Sequence, residues 1–231
     1  MGHYVSRTFS WTRGLLIVLL VLSVVACSSP DGSPRYTPPG PAGDPSALIQ
    51  GAKTDLDAEN YDTAIEKLEQ AVGLDAYSTE AHYLLGNAYA LKEMFSQAEE
   101  QLLEALRIEE NHTDARSNLG VVYYRQGKLP EAEKAFRRAL QDQPDDAEVH
   151  YNLGGVFVAL NRTDQAVSEF LRAKELDPSL AEPYLGLGSV YKLQGKNDEA
   201  IVELREYIKL TQDATWRDKA REMIRELGGQ P

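Results

Sequence analysis

Residue types able to do chemistry are few in this chain: four histidines and one cysteine among 231 residues. His82 and His150 are 68 positions apart, and neither has a cysteine, a carboxylate pair or a second histidine at ligand spacing. Both therefore read as packing residues and not as metal ligands. His112 lies in Asn111-His112-Thr113, which, like Asn161-Arg162-Thr163, matches a glycosylation pattern but reads as a turn. Gly186-Leu187-Gly188 resembles a phosphate-binding loop only superficially, because no strand precedes it. No nucleophile stands beside a base. The expectation is a protein that is not an enzyme and uses no cofactor, no metal and no small-molecule substrate. A net charge of −12 argues against nucleic acid, whose phosphates need a basic surface, and favours a basic partner if it favours any.

What remains is recognition, and the elements that position it repeat along the chain. Counted from Thr113, Leu119, Gly120 and Tyr123 fall at seven, eight and eleven, one face of a helix of about 3.6 residues per turn. Gly127 then stands where a helix stops, since glycine takes the left-handed conformation that ends one. Ala132, Phe136 and Ala139 follow at i, i+4 and i+7 as the inward face of a second helix, and Pro144 closes the unit. The template recurs every 34 residues without gaps: 45–78, 79–112, 113–146, 147–180 and 181–214.

Position eight reads Ala52, Gly86, Gly120, Gly154 and Gly188, and position twenty reads Ala64, Ala98, Ala132, Ala166 and Ala200. These two small positions are expected to face each other where the helices of one hairpin come closest. Position twenty-four is Leu68, Leu102, Phe136, Phe170 and Leu204, large groups expected to fill the gap between hairpins. The first unit departs from the pattern, with Gly51 at seven and Asp55 at eleven, as a terminal repeat can. In 215–231, Trp216, Ala220, Met223, Ile224 and Leu227 mark an amphipathic capping helix, toward which Tyr207 packs and which Gly228 and Gly229 stop.

The period and the small-small-large signature resemble the tetratricopeptide repeat (TPR) family over 45–214. The resemblance implies an all-α, right-handed α-solenoid of five helix hairpins plus a C-terminal capping helix. It also implies a concave groove lined by positions two, five, nine, twelve and thirteen. Here these positions include Tyr83, Asn87, Val121, Tyr124, Arg125, Tyr151, Val158 and Lys192, a row suited to a protein or peptide segment. Position two is acidic in four repeats, Glu80, Asp114, Glu148 and Glu182, which the helix macrodipole favours with or without a basic partner. Family members that grip a C-terminal carboxylate use asparagines with several cations. Asn87 and Asn118 match, but Tyr83, Gly155 and Ala159 stand where the cations belong, so no such tail is expected to bind.

Residues 1–26 read as an export signal, with Arg7 and Arg13 ahead of a short apolar run ending at Ala26. Val24-Val25-Ala26-Cys27 resembles the bacterial lipoprotein box, which implies cleavage before Cys27 and lipid on its sulfur. Cleavage would leave 22 basic against 36 acidic residues, a net −14. Residues 27–44 are rich in proline and glycine and read as a linker that reaches roughly 50 Å when extended. The expected role is a lipid-anchored scaffold or adaptor in the cell envelope, with the outer membrane, facing the periplasm, as the implied location. Lipoproteins of this architecture that help pilus secretins assemble supply one alternative, a pilotin-like factor. A regulatory subunit of a cell-wall enzyme is another.

Overall fold

The 34-residue period of the sequence becomes a period of the backbone in the computed structural model, which describes residues 43–230. Five helix pairs follow one another: α1 (Pro45–Asp57) with α2 (Tyr61–Leu74), α3 (Thr79–Leu91) with α4 (Phe95–Ile108), α5 (Thr113–Arg125) with α6 (Leu129–Asp142), α7 (Ala147–Ala159) with α8 (Thr163–Leu176), and α9 (Glu182–Leu193) with α10 (Asn197–Leu210). Helix α11 (Ala214–Glu226) closes the stack. Every extensive contact joins elements one or two places apart, so the hairpins stack as a solenoid in which each buries its apolar face against its neighbours. The export signal, Cys27 and most of the linker lie outside the described residues. Among those described, no helix is long and apolar enough to cross a membrane.

Two kinds of helix start alternate. The first helices of the first four hairpins, and α11, are capped by a side chain at the residue before them: Asp44, Ser78, His112, Asp146 and Asp213 each accept from a backbone N–H in the first turn. His112 is thus a helix cap, its Nδ1 accepting from Ala115 N at 3.2 Å, where the sequence suggested only a loop. The second helices have no side-chain cap. They follow a tight turn whose middle residue has positive φ: Glu59, Glu93, Gly127, Asn161 and Gly195. Gly127 N donates to Tyr124 O and Lys128 N to Tyr123 O, which satisfies the carbonyls left open at the end of α5. Glutamate at two of these turns shows that the hydrogen bonds, more than the residue, dictate the conformation.

Position eight has a closer neighbour than position twenty. A Cβ on Gly120 would meet the Phe136 ring at 2.8 Å, and one on Gly154 would meet the Phe170 ring at 2.5 Å. At Gly86 and Gly188 it would meet Leu102 and Leu204 at 2.7 Å, with the carbonyls of Ala98 and Ala200 next. The large residue at twenty-four therefore seats itself on the bare backbone of its own hairpin. It also bridges hairpins, since the Phe170 ring lies 2.8 Å from the equivalent point on Gly186 of the next one. In the first repeat Gly51 and Asp55 accommodate a charge: Lys67 packs over Gly51 and donates to Asp55 Oδ2 at 2.6 Å.

Adjacent hairpins are also tied by position four. His82 Nε2, Arg116 Nη2, His150 Nε2 and Tyr184 Oη each bond the carbonyl six residues earlier, on Ala76, Glu110, Pro144 and Pro178. His82 sets Nδ1 against the Gln101 side-chain amide at 2.8 Å. His150 faces oxygens on both sides, Glu169 Oε2 at 2.6 Å and the Pro144 carbonyl at 3.0 Å. Only the protonated imidazolium donates to both. The Glu169 hydrogen bond chiefly, together with the Pro144 carbonyl, raises the His150 pKa above 6.5 against desolvation and the nearby Arg172.

Two outcomes follow from this packing. Gly154→Ala places a methyl group inside the Phe170 contact and should cost about 1–3 kcal/mol. Adding Phe170→Leu, which reproduces the Ala52–Leu68 pair of the first repeat, should recover part of the loss in thermal melts; an alanine variant as stable as the parent would mean the hairpin opens freely. Because the His150 pKa is raised on folding, its contribution is complete below the unfolded value of about 6.5 and fades as pH climbs through the folded value. The melting-temperature gap between wild type and His150→Gln should therefore be widest in mild acid and narrow in mild alkali, and a gap constant with pH would contradict the charged clamp.

Candidate functional site

The inner faces of the first helices, with α10 and α11 at one end, enclose a groove of about 980 Å³. Its lining runs from Tyr61 and Phe95 at one end, through Asn87, Asn118, Val121 and Tyr151, to Leu185, Tyr207 and Trp216 at the other. Helix geometry explains this choice of residues. With position eight turned into the hairpin against position twenty-four, position nine lies about 100° further round the helix, toward the concave side.

The eight residues singled out in the sequence divide evenly. Asn87, Val121, Arg125 and Tyr151 line the groove. Tyr83, Tyr124, Val158 and Lys192 do not. The Tyr83 ring lies 4.7 Å from that of His112. Tyr124 is 41 % exposed, outside the lining. Val158 packs against the core shared by the third, fourth and fifth hairpins, and Lys192 Nζ is held by Glu226 at 2.5 Å. Three of these side chains find a nearer neighbour, Tyr83 in His112, Val158 in the apolar core and Lys192 in Glu226 of α11.

The polar groups of the groove are mostly satisfied by one another. Asn118 Nδ2 donates to Asn87 Oδ1 at 2.7 Å, and Asn87 is 7 % exposed, so this pair forms a fixed ridge in the floor. Arg125 donates to Glu93 Oε1 at 2.8 Å and lies over the Phe95 ring at 5.1 Å. Tyr151 rests against Phe170, ring centres 5.8 Å apart. Burial, reinforced by the charge of Glu182, pushes its hydroxyl to about 12, so it stays a neutral donor at every physiological pH. Burial likewise raises the Tyr83 hydroxyl. Among the described residues no group of three or more histidines, cysteines or carboxylates is placed to hold a metal ion.

Family models described as tetratricopeptide repeat match residues 55–117, 93–146, 117–181 and 181–213, together most of the chain. The chain belongs to the tetratricopeptide repeat family. No curated protein matches it. Several solved TPR structures share its fold. YrrB, described as a TPR protein with an unusual peptide-binding site, is 24 % identical, with a TM-score of 0.61 over 78 % of this chain and 92 % of that one. The pilF protein of Pseudomonas aeruginosa is 20 % identical, with a TM-score of 0.69 over 80 % and 88 %. MamA from Desulfovibrio magneticus RS-1 is 20 % identical, with a TM-score of 0.67 over 75 % and 99 %. At these identities the likeness establishes the solenoid and leaves its occupant open.

Groove residues outside the predicted set come mainly from the C-terminal end. Trp216 read as part of the cap's apolar face, yet it is 37 % exposed and lines the groove, while Ala220 and Ile224 supply the buried contact. Tyr207 packs on that cap, as its departure from alanine suggested, and reaches the groove as well. A TPR position rule has no entry for either, since one stands on the outward half of a repeat and the other beyond the last repeat.

Proposed function

We propose that this TPR protein is a scaffold that captures a peptide segment of another protein in its concave groove and holds it at a membrane through lipid on Cys27. The groove itself is the observation that carries the reading. It is long, is lined with aromatic and aliphatic side chains, and has a floor fixed by the Asn87–Asn118 bond. Such a surface suits an extended or helical segment, because rigid aromatic walls lose little conformational freedom on contact. The tether rests on the sequence around Cys27, with a proline-rich linker that would hold the solenoid clear of the headgroups.

Three measurements test the two halves. A photo-crosslinking residue at Val121 should capture a partner in intact cells, whereas one at Leu103, exposed on α4 and outside the groove, should not; Val121→Arg should abolish co-purification with helicity unchanged. Equal capture from both positions would remove the groove from the account. Cys27→Ser should move the protein from the membrane to the soluble fraction, and retention of that variant on the membrane would exclude the lipid.

A further inference from the structure

The two ends of the groove differ in charge, and the difference names the chemistry of the occupant if the peptide-binding reading above holds. At the first end the cation of the lining, Arg125, is neutralised by Glu93. The other end is lined by Glu182, Asp213, Tyr151, Tyr207 and Trp216, with no cation among its lining residues. Glu182 is half-buried in the first turn of α9 and makes no ion pair among the described residues, whereas Glu80, at the same position of the second repeat, pairs with Lys53 at 2.5 Å. Glu182 lines the groove together with Tyr151 and Tyr207, and its charge adds to the burial that raises both hydroxyls. Asp213 caps α11 through Trp216 N at 3.0 Å and retains acceptor capacity for a further donor.

Two cations come near this end without lining it, and both are engaged. Arg217 donates to the Thr211 carbonyl at 2.6 Å, and the Lys219 ammonium sits 4.1 Å from the Trp216 ring centre. A half-buried carboxylate without a counter-ion attracts an incoming cation more strongly than one in open water.

We propose that this end of the groove is a subsite for an arginine or lysine side chain of the bound peptide, with Glu182 as its counter-ion and Tyr151, Tyr207 and Trp216 as its walls. Arginine fits better, since a planar guanidinium stacks on aromatic rings while offering a fork of donors to a carboxylate. The acidic body of the protein, net −12, would also speed the approach of a basic segment.

The test uses fluorescein-labelled decapeptides of one alanine-leucine host sequence, carrying a central arginine, lysine, norleucine or glutamate. Each is titrated by fluorescence anisotropy against the full-length protein in mild detergent. The arginine peptide should bind about tenfold tighter than the norleucine peptide. Glu182→Gln should erase that preference and leave norleucine affinity within about twofold, and salt raised toward about 0.5 M should shrink the preference in the wild type. Equal affinities for arginine, norleucine and glutamate would overturn the subsite and leave the groove reading standing. A preference that survives Glu182→Gln would also overturn it, and failure of every peptide to bind the folded protein would overturn both readings. A gain in arginine-peptide affinity on replacing Arg35, the arginine of the 27–44 linker, with alanine would assign the subsite to this chain's own linker and reject a partner's cation.

Discussion

A large side chain seated on the bare backbone of the opposing helix is the contact on which the rest of this molecule depends. Phe136 on Gly120 and Phe170 on Gly154 bring the two helices of a hairpin closer than a pair of ordinary side chains would permit. That approach determines how the first helix is rotated. The rotation in turn decides which positions point into the stack and which toward the concave side. Since each hairpin touches only its neighbours, the same small displacement is repeated along the chain, and the groove is its accumulated result. Tyr61 and Trp216, 155 positions apart in sequence, line one cavity for that reason.

The solenoid was legible in the sequence because its determinants are local and recur. Glycine or alanine at eight, alanine at twenty and leucine or phenylalanine at twenty-four each report a distance of closest approach, and a family comparison reads the same signal. The turn between helices was less legible. Gly127 announced a left-handed residue and Asn161 is a type that tolerates one, while Glu59 and Glu93 adopt that conformation with nothing in their identity to say so. There the backbone hydrogen bonds across the turn outweigh the strain of a side chain at positive φ.

The groove was half legible, and the half that failed has a physical cause. A position rule states where a side chain starts and not where it finds its best neighbour. Lys192 starts on the concave side and is drawn to Glu226, a residue of the cap that no repeat pattern contains. Tyr83 starts there and packs its ring against that of His112. Conversely, Trp216 belongs to an amphipathic set whose buried members are Ala220 and Ile224, which leaves the indole at the edge of the cap and free to line the groove. Ends of a solenoid are where repeat statistics say least, and the chemistry least shared between repeats gathers at such an end.

The acidic first turns show how one sequence feature divides into different roles. Glu80 and Glu182 occupy the same position two and gain the same benefit from the amide dipoles of their helices. Glu80 has Lys53 of the first repeat beside it and is consumed by that pair. Glu182 shares its stretch of the groove lining with Tyr151, Tyr207 and Trp216, and makes no ion pair among the described residues. In water the distinction would count for little, because an exposed ion pair contributes little. In a half-buried groove it counts for more, since a carboxylate without a counter-charge interacts more strongly with whatever cation arrives as the surrounding dielectric falls. The capping helix thus does more than shield the last hairpin: by adding Trp216 to a lining that includes Tyr207, it walls one end of the groove with a surface that the five repeats alone do not make.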